Sequence, residues 1–324
     1  MRTAQAELIH YPDPHCVALC QTLAARYELP HDSFAIGNGS SELIHLLPAA
    51  LCIRHALIVG PTFSEYARAV AIYGGRVTYI NAQRTERYLP PVTEVQTALR
   101  AIRTRQASRD RIDLVVVCNP NSPTGLSIQA EEVQNLVTLA SRHGIWVMMD
   151  ETFVEYCEDQ SVLTKVGDYP SLLVLRSFTK FYALPGLRIG YLAGPPKVIE
   201  RIRERQPPWS VNALAQAAAR AALEDRRHAQ KSLAFMRTER PRFAEKLASI
   251  VGVTVYPSAA NFLLVELPPS MPASRLASAL RKQGLLIRDC SSVPGLNNRT
   301  IRVAVRTAAQ NRCLTTALLP LLKR

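Results

Sequence analysis

Lys180 ends the segment Arg176-Ser177-Phe178-Thr179-Lys180, just after the apolar run Leu172-Leu173-Val174-Leu175. A lysine held in a desolvated place gives up its charge readily and becomes a nucleophile able to form a Schiff base. Arg188 follows in Gly186-Leu187-Arg188-Ile189-Gly190. It could hold a phosphate, and a cation near Lys180 would lower the pKa of the amine. Asp150-Glu151 closes a second apolar stretch. A carboxylate there is costly unless partnered, so it reads either as a helix N-cap or as half of an ion pair with a buried cation. Gly37-Asn38-Gly39-Ser40-Ser41-Glu42 leads into an apolar, helix-like run. Small residues at a helix start expose backbone N–H groups, and the helix dipole favours an anion there. Glu42 replaces the third glycine of a dinucleotide fingerprint, and the Gly-Lys-Ser/Thr of a P-loop is missing. Finally, Asn119-Pro120-Asn121-Ser122-Pro123-Thr124-Gly125 makes a stiff loop after residues 114–118. In α/β sheets, ligands bind at such C-terminal strand ends.

These segments need a scaffold. Residues 55–60, 76–81, 114–118, 145–150 and 171–177 are short, apolar and rich in β-branched types. Near-continuous apolar strands suit a parallel sheet covered on both faces. Between two of them, Ser127 is positioned to cap a helix carrying Glu131 and Glu132 in its first turn. Val133, Leu136, Val137 and Ala140 then share its buried face. Strands alternating with helices imply βαβ units. The pattern changes at Pro207-Pro208. Ala213 to Arg237 reads as one unbroken helix, followed by strands near 253–256, 262–267 and 300–305 and a helix near 273–283. The expected organisation is an arm at 1–30, a large α/β domain at 31–212, a connecting helix at 213–237 and a smaller α+β domain at 238–324.

Composition narrows the class. The chain has 324 residues, 48% of them hydrophobic, which is globular and large enough for about two domains. There is no apolar run of membrane-spanning length and no apolar leader. The seven cysteines lack a CxxC spacing, so they read as reduced cytoplasmic thiols and not as a disulfide or zinc framework. The net charge is +13, but the cations are dispersed. Clusters at Arg100 to Arg111, Arg201 to Arg205 and Arg226-Arg227 read as solvated helix faces or the rim of a cleft for anionic small molecules, not as a nucleic-acid footprint.

Taken in order, the segments resemble the aspartate-aminotransferase superfamily of pyridoxal-phosphate enzymes, fold type I. The resemblance runs from Tyr11 to the C-terminus. It implies a mostly parallel central sheet flanked by helices, with a smaller C-terminal domain. It implies that Gly39, Ser40, Ser41, Ser177 and Arg188 hold the cofactor phosphate. Phe63, in Pro61-Thr62-Phe63, would stack on the ring. Asp150 would pair with the pyridinium nitrogen, and Lys180 would carry pyridoxal 5'-phosphate as a Schiff base. Three stretches look most like the threonine-phosphate decarboxylases of cobalamin biosynthesis: Ser177 to Arg188, Pro208 to Leu214, and Ile287 to Arg306. Histidinol-phosphate aminotransferases share the first half of the pattern, but usually carry Tyr where this chain has Phe153. By the same resemblance Arg302 meets the substrate carboxylate and Arg288 the substrate phosphate.

The expected reaction is decarboxylation of O-phospho-L-threonine to (R)-1-amino-2-propanol phosphate. An aminotransferase acting on an anionic amino acid is the alternative, and a fold-only relative is a further one. The resemblance also implies a homodimer, with Tyr11 as the residue that reaches a partner's cofactor phosphate. Two departures stand out. Ser122 occupies the place where the family usually has Asn against the cofactor's phenolic oxygen, with Asn121 as a possible substitute. Family members usually begin a few dozen residues earlier, with a lid segment that has a His-Gly pair and an Asn; the expectation is that either the start is set too late here or the lid is absent.

Overall fold

The computed structural model describes residues 7–102 and 111–322. Most of the basic cluster Arg100 to Arg111 therefore lies outside the described residues, as do the first six residues of the arm.

Two sheets organise the chain. The larger has seven strands: β1 (Phe34–Gly37), β2 (His55–Gly60), β3 (Arg76–Asn81), β4 (Leu114–Cys118), β5 (Trp146–Asp150), β6 (Leu172–Ser177) and β7 (Gly190–Ala193). Their spatial order is β1-β7-β6-β5-β4-β2-β3. Neighbours pair in parallel except at β7, which runs antiparallel to both β6 and β1. The expected strands all form, and their apolar character has a plain cause. Along β4, Val115 and Val117 pack into one core, while Leu114 and Val116 pack into a second core on the other face. Both faces are covered, so both sets of side chains are apolar.

Parallel pairing brings the C-terminal ends of β2, β4, β5 and β6 to one edge. Cys118 sits beside Asp150 in the ladder, and Asp150 beside Leu175. The chemistry-bearing segments all leave from this edge.

Two helix expectations need correction. The helix after the Asn119–Gly125 loop spans Ala130–Arg142 and is not capped by Ser127. The Asn119 side chain holds both backbone groups of Ile128, accepting from its N–H at 2.8 Å and donating to its carbonyl at 3.0 Å. That keeps residues 126–129 out of the helix. Gln129 takes the cap position instead, its N–H donating to the Glu132 carboxylate at 3.3 Å. The predicted single helix over 213–237 is two helices, Ala213–Glu224 and Arg226–Ala248. Asp225 divides them: its carboxylate accepts from the His228 N–H at 2.9 Å, which starts a new helix.

The smaller sheet contains β8 (Thr254–Val255), β9 (Phe262–Glu266), β10 (Arg288–Asp289) and β11 (Thr300–Ala304), all antiparallel, in the order β10-β11-β9-β8. Helices Arg226–Ala248, Ala273–Arg281 and Ala308–Leu322 contribute buried side chains to its core, which includes Phe243, Leu276, Ile301 and Leu318. The last helix lay beyond the sequence reading. The seven cysteines are unpaired. Among the described residues no helix is long and apolar enough to cross a membrane.

Candidate active site

A cleft of about 350 Å³ opens at the C-terminal edge of the large sheet, with one wall supplied by the smaller sheet. Lys180, Asp150, Ser40, Ser41, Phe63, Ser122, Arg188, Arg288 and Arg302 all line it. These residues span most of the chain, yet the topology collects them.

Lys180 opens into this cleft, its Nζ 5.8 Å from the centre of the Phe153 ring. Lys180 is a solvent-exposed residue of the cleft, and the partial desolvation of its amine there lowers its pKa below that of an ordinary lysine. The charges of Arg302 and Arg188 lower it further, and Asp150 opposes them. A lower pKa makes the neutral, nucleophilic form of the amine easier to reach than in an ordinary lysine.

Asp150 is buried, at 4% exposure. One carboxylate oxygen accepts from the Tyr66 hydroxyl at 2.6 Å and the other from the Thr152 N–H at 2.9 Å. Burial pushes the Asp150 carboxyl up, while the bonds from Thr152 and Tyr66 and the charge of Lys180 pull it down. The sequence reading offered an ion pair with a buried cation at Asp150-Glu151. That pair belongs to Glu151, which meets the buried Arg176 guanidinium at 2.8 Å. Asp150, the last residue of β5, and Glu151, just after it, thus take different partners, with Asp150 lining the cleft.

The phosphate segment is also built as a unit. Gly39 caps the helix Ser40–Leu51 with φ +78°. A side chain there would put its Cβ 2.5 Å from Nη2 of Arg188. The guanidinium thus lies directly against the glycine, beside the exposed N–H groups of the helix start. Only glycine permits both the backbone angle and the approach. Ser177 is not part of the lining. It is fully buried, its hydroxyl paired with that of Thr179 at 2.8 Å and accepting from the Thr179 N–H. Thr179 is the residue that faces the cleft.

Phe63 is 44% exposed, an apolar ring presented to the cleft and braced edge-on by Tyr66 at 5.7 Å. Opposite it, Arg302 donates from Nη1 to the Ser122 hydroxyl at 2.6 Å and stacks over Phe262 at 5.0 Å. Burial lowers the pKa of this guanidinium. Asn121, offered as a substitute, is not among the residues lining the cleft; its amide nitrogen donates to the Pro61 carbonyl and the Thr124 hydroxyl. Tyr11 is 80% exposed, stacks on Trp209 at 4.6 Å and is not part of the cleft lining.

Sequence reasoning gave no site role to Tyr66, Thr152 or Thr179, nor to Cys290, Ser292, Val293 and Pro294 within the family-like stretch Ile287 to Arg306, all of which line the cleft. Tyr66 carried one signal, its position three residues after Phe63 in the first turn of helix Glu65–Ile72.

Residues 2–318 match the family model for aminotransferase class I and II. The chain belongs to the class I and II aminotransferase family. One relative in that family, the threonine-phosphate decarboxylase of Salmonella typhimurium, is 36% identical over 310 residues, covering 95% of this chain and 82% of the relative. A histidinol-phosphate aminotransferase from Roseiflexus castenholzii is 35% identical over 312 residues, covering 95% and 80%. Among solved structures, the L-threonine-O-3-phosphate decarboxylase of Porphyromonas gingivalis superposes with a TM-score of 0.85 at 26% identity, covering 100% of this chain and 95% of that one. The fold is that of the pyridoxal-phosphate enzymes of fold type I, as the resemblance implied.

Proposed function

We propose that this chain is a pyridoxal-phosphate-dependent carboxy-lyase of cobalamin biosynthesis. It converts O-phospho-L-threonine to CO₂ and (R)-1-amino-2-propanol phosphate. One observation carries the reading: a single cleft holds a pKa-lowered amine, Lys180, together with two guanidiniums, Arg288 and Arg302, on the opposing sheet. A substrate with both a carboxylate and a second anion matches that arrangement.

The residues fit the cofactor. Arg188 against Gly39, with the N-terminus of Ser40–Leu51, makes a cradle for its phosphate. Ser40, Ser41 and Thr179 border that cradle, and Ser177 supports it through Thr179. Phe63 would cover one face of the ring, and Asp150 would hold a proton on the ring nitrogen. When bound through Lys180, pyridoxal phosphate supplies an electron sink for the pair released as a bond to Cα breaks.

The chain's own groups then decide which bond breaks. Arg302 holds the substrate carboxylate and Arg288 the distal phosphate. Two anchor points fix the rotation about Cα and select the carboxylate as the group to leave. Lys180, as the ammonium, returns a proton to Cα. Phe153 has no hydroxyl to offer the cofactor's phenolic oxygen, which matches the decarboxylase pattern. Ser122 is the polar group nearest that role, and it is already tied to Arg302.

The working form in this reading is a cytoplasmic homodimer, in which the exposed Tyr11 reaches a partner's cofactor site. Incubation with O-phospho-L-threonine and no keto acid tests the reaction. Release of CO₂ with formation of the phosphorylated amino alcohol supports it. Turnover that requires a keto acid and releases no CO₂ overturns it in favour of transamination.

A further inference from the structure

We infer that Arg84 is a positioning residue for the substrate side of the cleft: through Glu266 it fastens the loop 290–297 onto the large sheet. This deepens the functional reading above and rests on it only for its kinetic test.

Glu266 ends β9 and is 3% exposed. Arg84 lies in a short turn after β3 of the large sheet. Its Nε donates to both Glu266 oxygens, at 2.8 and 3.0 Å. The same carboxylate accepts from the Tyr256 hydroxyl at 2.9 Å, Arg299 Nη2 at 2.7 Å and Asn297 Nδ2 at 3.2 Å. Asn297 is the C-terminal root of the loop that puts Ser292, Val293 and Pro294 into the cleft.

The loop also touches the large sheet directly. Gly295 has φ +92°, and a Cβ there would lie 3.2 Å from Asn81 Cγ and 3.4 Å from Pro61 Cβ. Pro61 leads straight to Phe63. Leu296 packs on a small buried cluster that joins Ala82 and Tyr88 of the Arg84 segment to Tyr256 and Leu264 of the smaller sheet. Loop tip, loop root and Arg84 therefore form one seam across the cleft.

An exposed ion pair contributes little, but this one ends on a buried carboxylate shared by four donors. Its removal is selective. Without Arg84, Glu266 keeps Arg299, Tyr256 and Asn297, so the smaller sheet retains its charge balance while the link across the cleft is lost.

The test uses the cofactor-loaded protein and hydrogen exchange, without substrate. In Arg84→Ala the amides of residues 291–293, 295 and 296 are expected to exchange roughly tenfold faster, with β9 unchanged. Gly295→Ala, which attacks the seam from its other end, is expected to do the same. Arg84→Lys restores part of the protection. With O-phospho-L-threonine, Arg84→Ala is expected to raise KM roughly tenfold while kcat stays within about twofold. Unchanged loop exchange in Arg84→Ala overturns the inference, whatever Gly295→Ala does. So does acceleration that spreads through β9, which would make the bridge a general structural support. Faster loop exchange in a protein that does not turn over O-phospho-L-threonine upholds the latch and defeats the substrate assignment alone.

Discussion

Arg288 and Arg302 sit directly opposite each other in the β10–β11 ladder. Like charges in that position repel, and the charge of Arg288 helps to lower the pKa of Arg302, behind the larger effect of burial. The wall thus holds two cations whose mutual cost an anionic ligand would offset. Replacing Arg288 by Gln should leave thermal stability of the ligand-free protein unchanged or slightly higher. It should raise KM for O-phospho-L-threonine by about tenfold or more, as expected for a lost charged contact. A loss of stability without a change in KM would show that the pair serves the fold instead.

Gly39 and Arg188 give a second prediction. Gly39→Ala introduces a Cβ 2.5 Å from the guanidinium, on a backbone with φ +78°. Arg188 must move, and the anion cradle opens. Cofactor affinity, measured by fluorescence titration, should fall by roughly tenfold or more, with secondary structure by circular dichroism retained. Undiminished affinity would place the cofactor phosphate elsewhere.

Tyr66 and Asp150 give a third. Asp150→Asn removes the carboxylate that would retain a proton on the ring nitrogen, and activity should drop by roughly a hundredfold. Tyr66→Phe removes one of its two protein donors. That change should raise the Asp150 pKa further and cost activity by about tenfold. Equal, small effects from both substitutions would contradict a role for Asp150 at the cofactor.

A fourth prediction concerns pH. Glu155 is buried, and its Oε2 has no partner among the described residues. Burial raises its carboxyl from 4.5 to about 8; Arg176 opposes the rise, and Glu158 and Glu151 add to it. Between those values the folded protein holds a proton that the unfolded chain releases, so this group reduces stability as pH rises through the window. Glu155→Gln should flatten the decline in melting temperature between pH 4.5 and 8 and should stabilise the protein most at the upper end. A variant whose pH profile parallels the wild type would exclude Glu155 as the source.

Much of this was legible in the sequence because the strands of the large sheet are covered on both faces. Their apolar runs left little doubt about residues 55–60 or 114–118. Their parallel order then fixed which loops share an edge with Lys180. What was not legible depended on contacts between distant segments. The break at Asp225 turns on one side-chain cap inside an otherwise helical run. The late helix start at Ala130 depends on Asn119, whose amide reaches forward to Ile128. Nothing in the sequence shows that the Tyr66 hydroxyl meets Asp150, a contact made only in three dimensions. The loop 290–297 carried a family pattern, but its seat against Pro61 and Asn81 has no signal in either stretch alone.

The central claim is a covalent one, and borohydride reduction of the protein mixed with pyridoxal phosphate tests it most directly. Peptide mass spectrometry should then find a single reduced cofactor on the peptide carrying Lys180. The Lys180→Ala variant should show neither the label nor the long-wavelength absorbance band. Label on a different lysine, or none at all in a folded protein, would contradict the account.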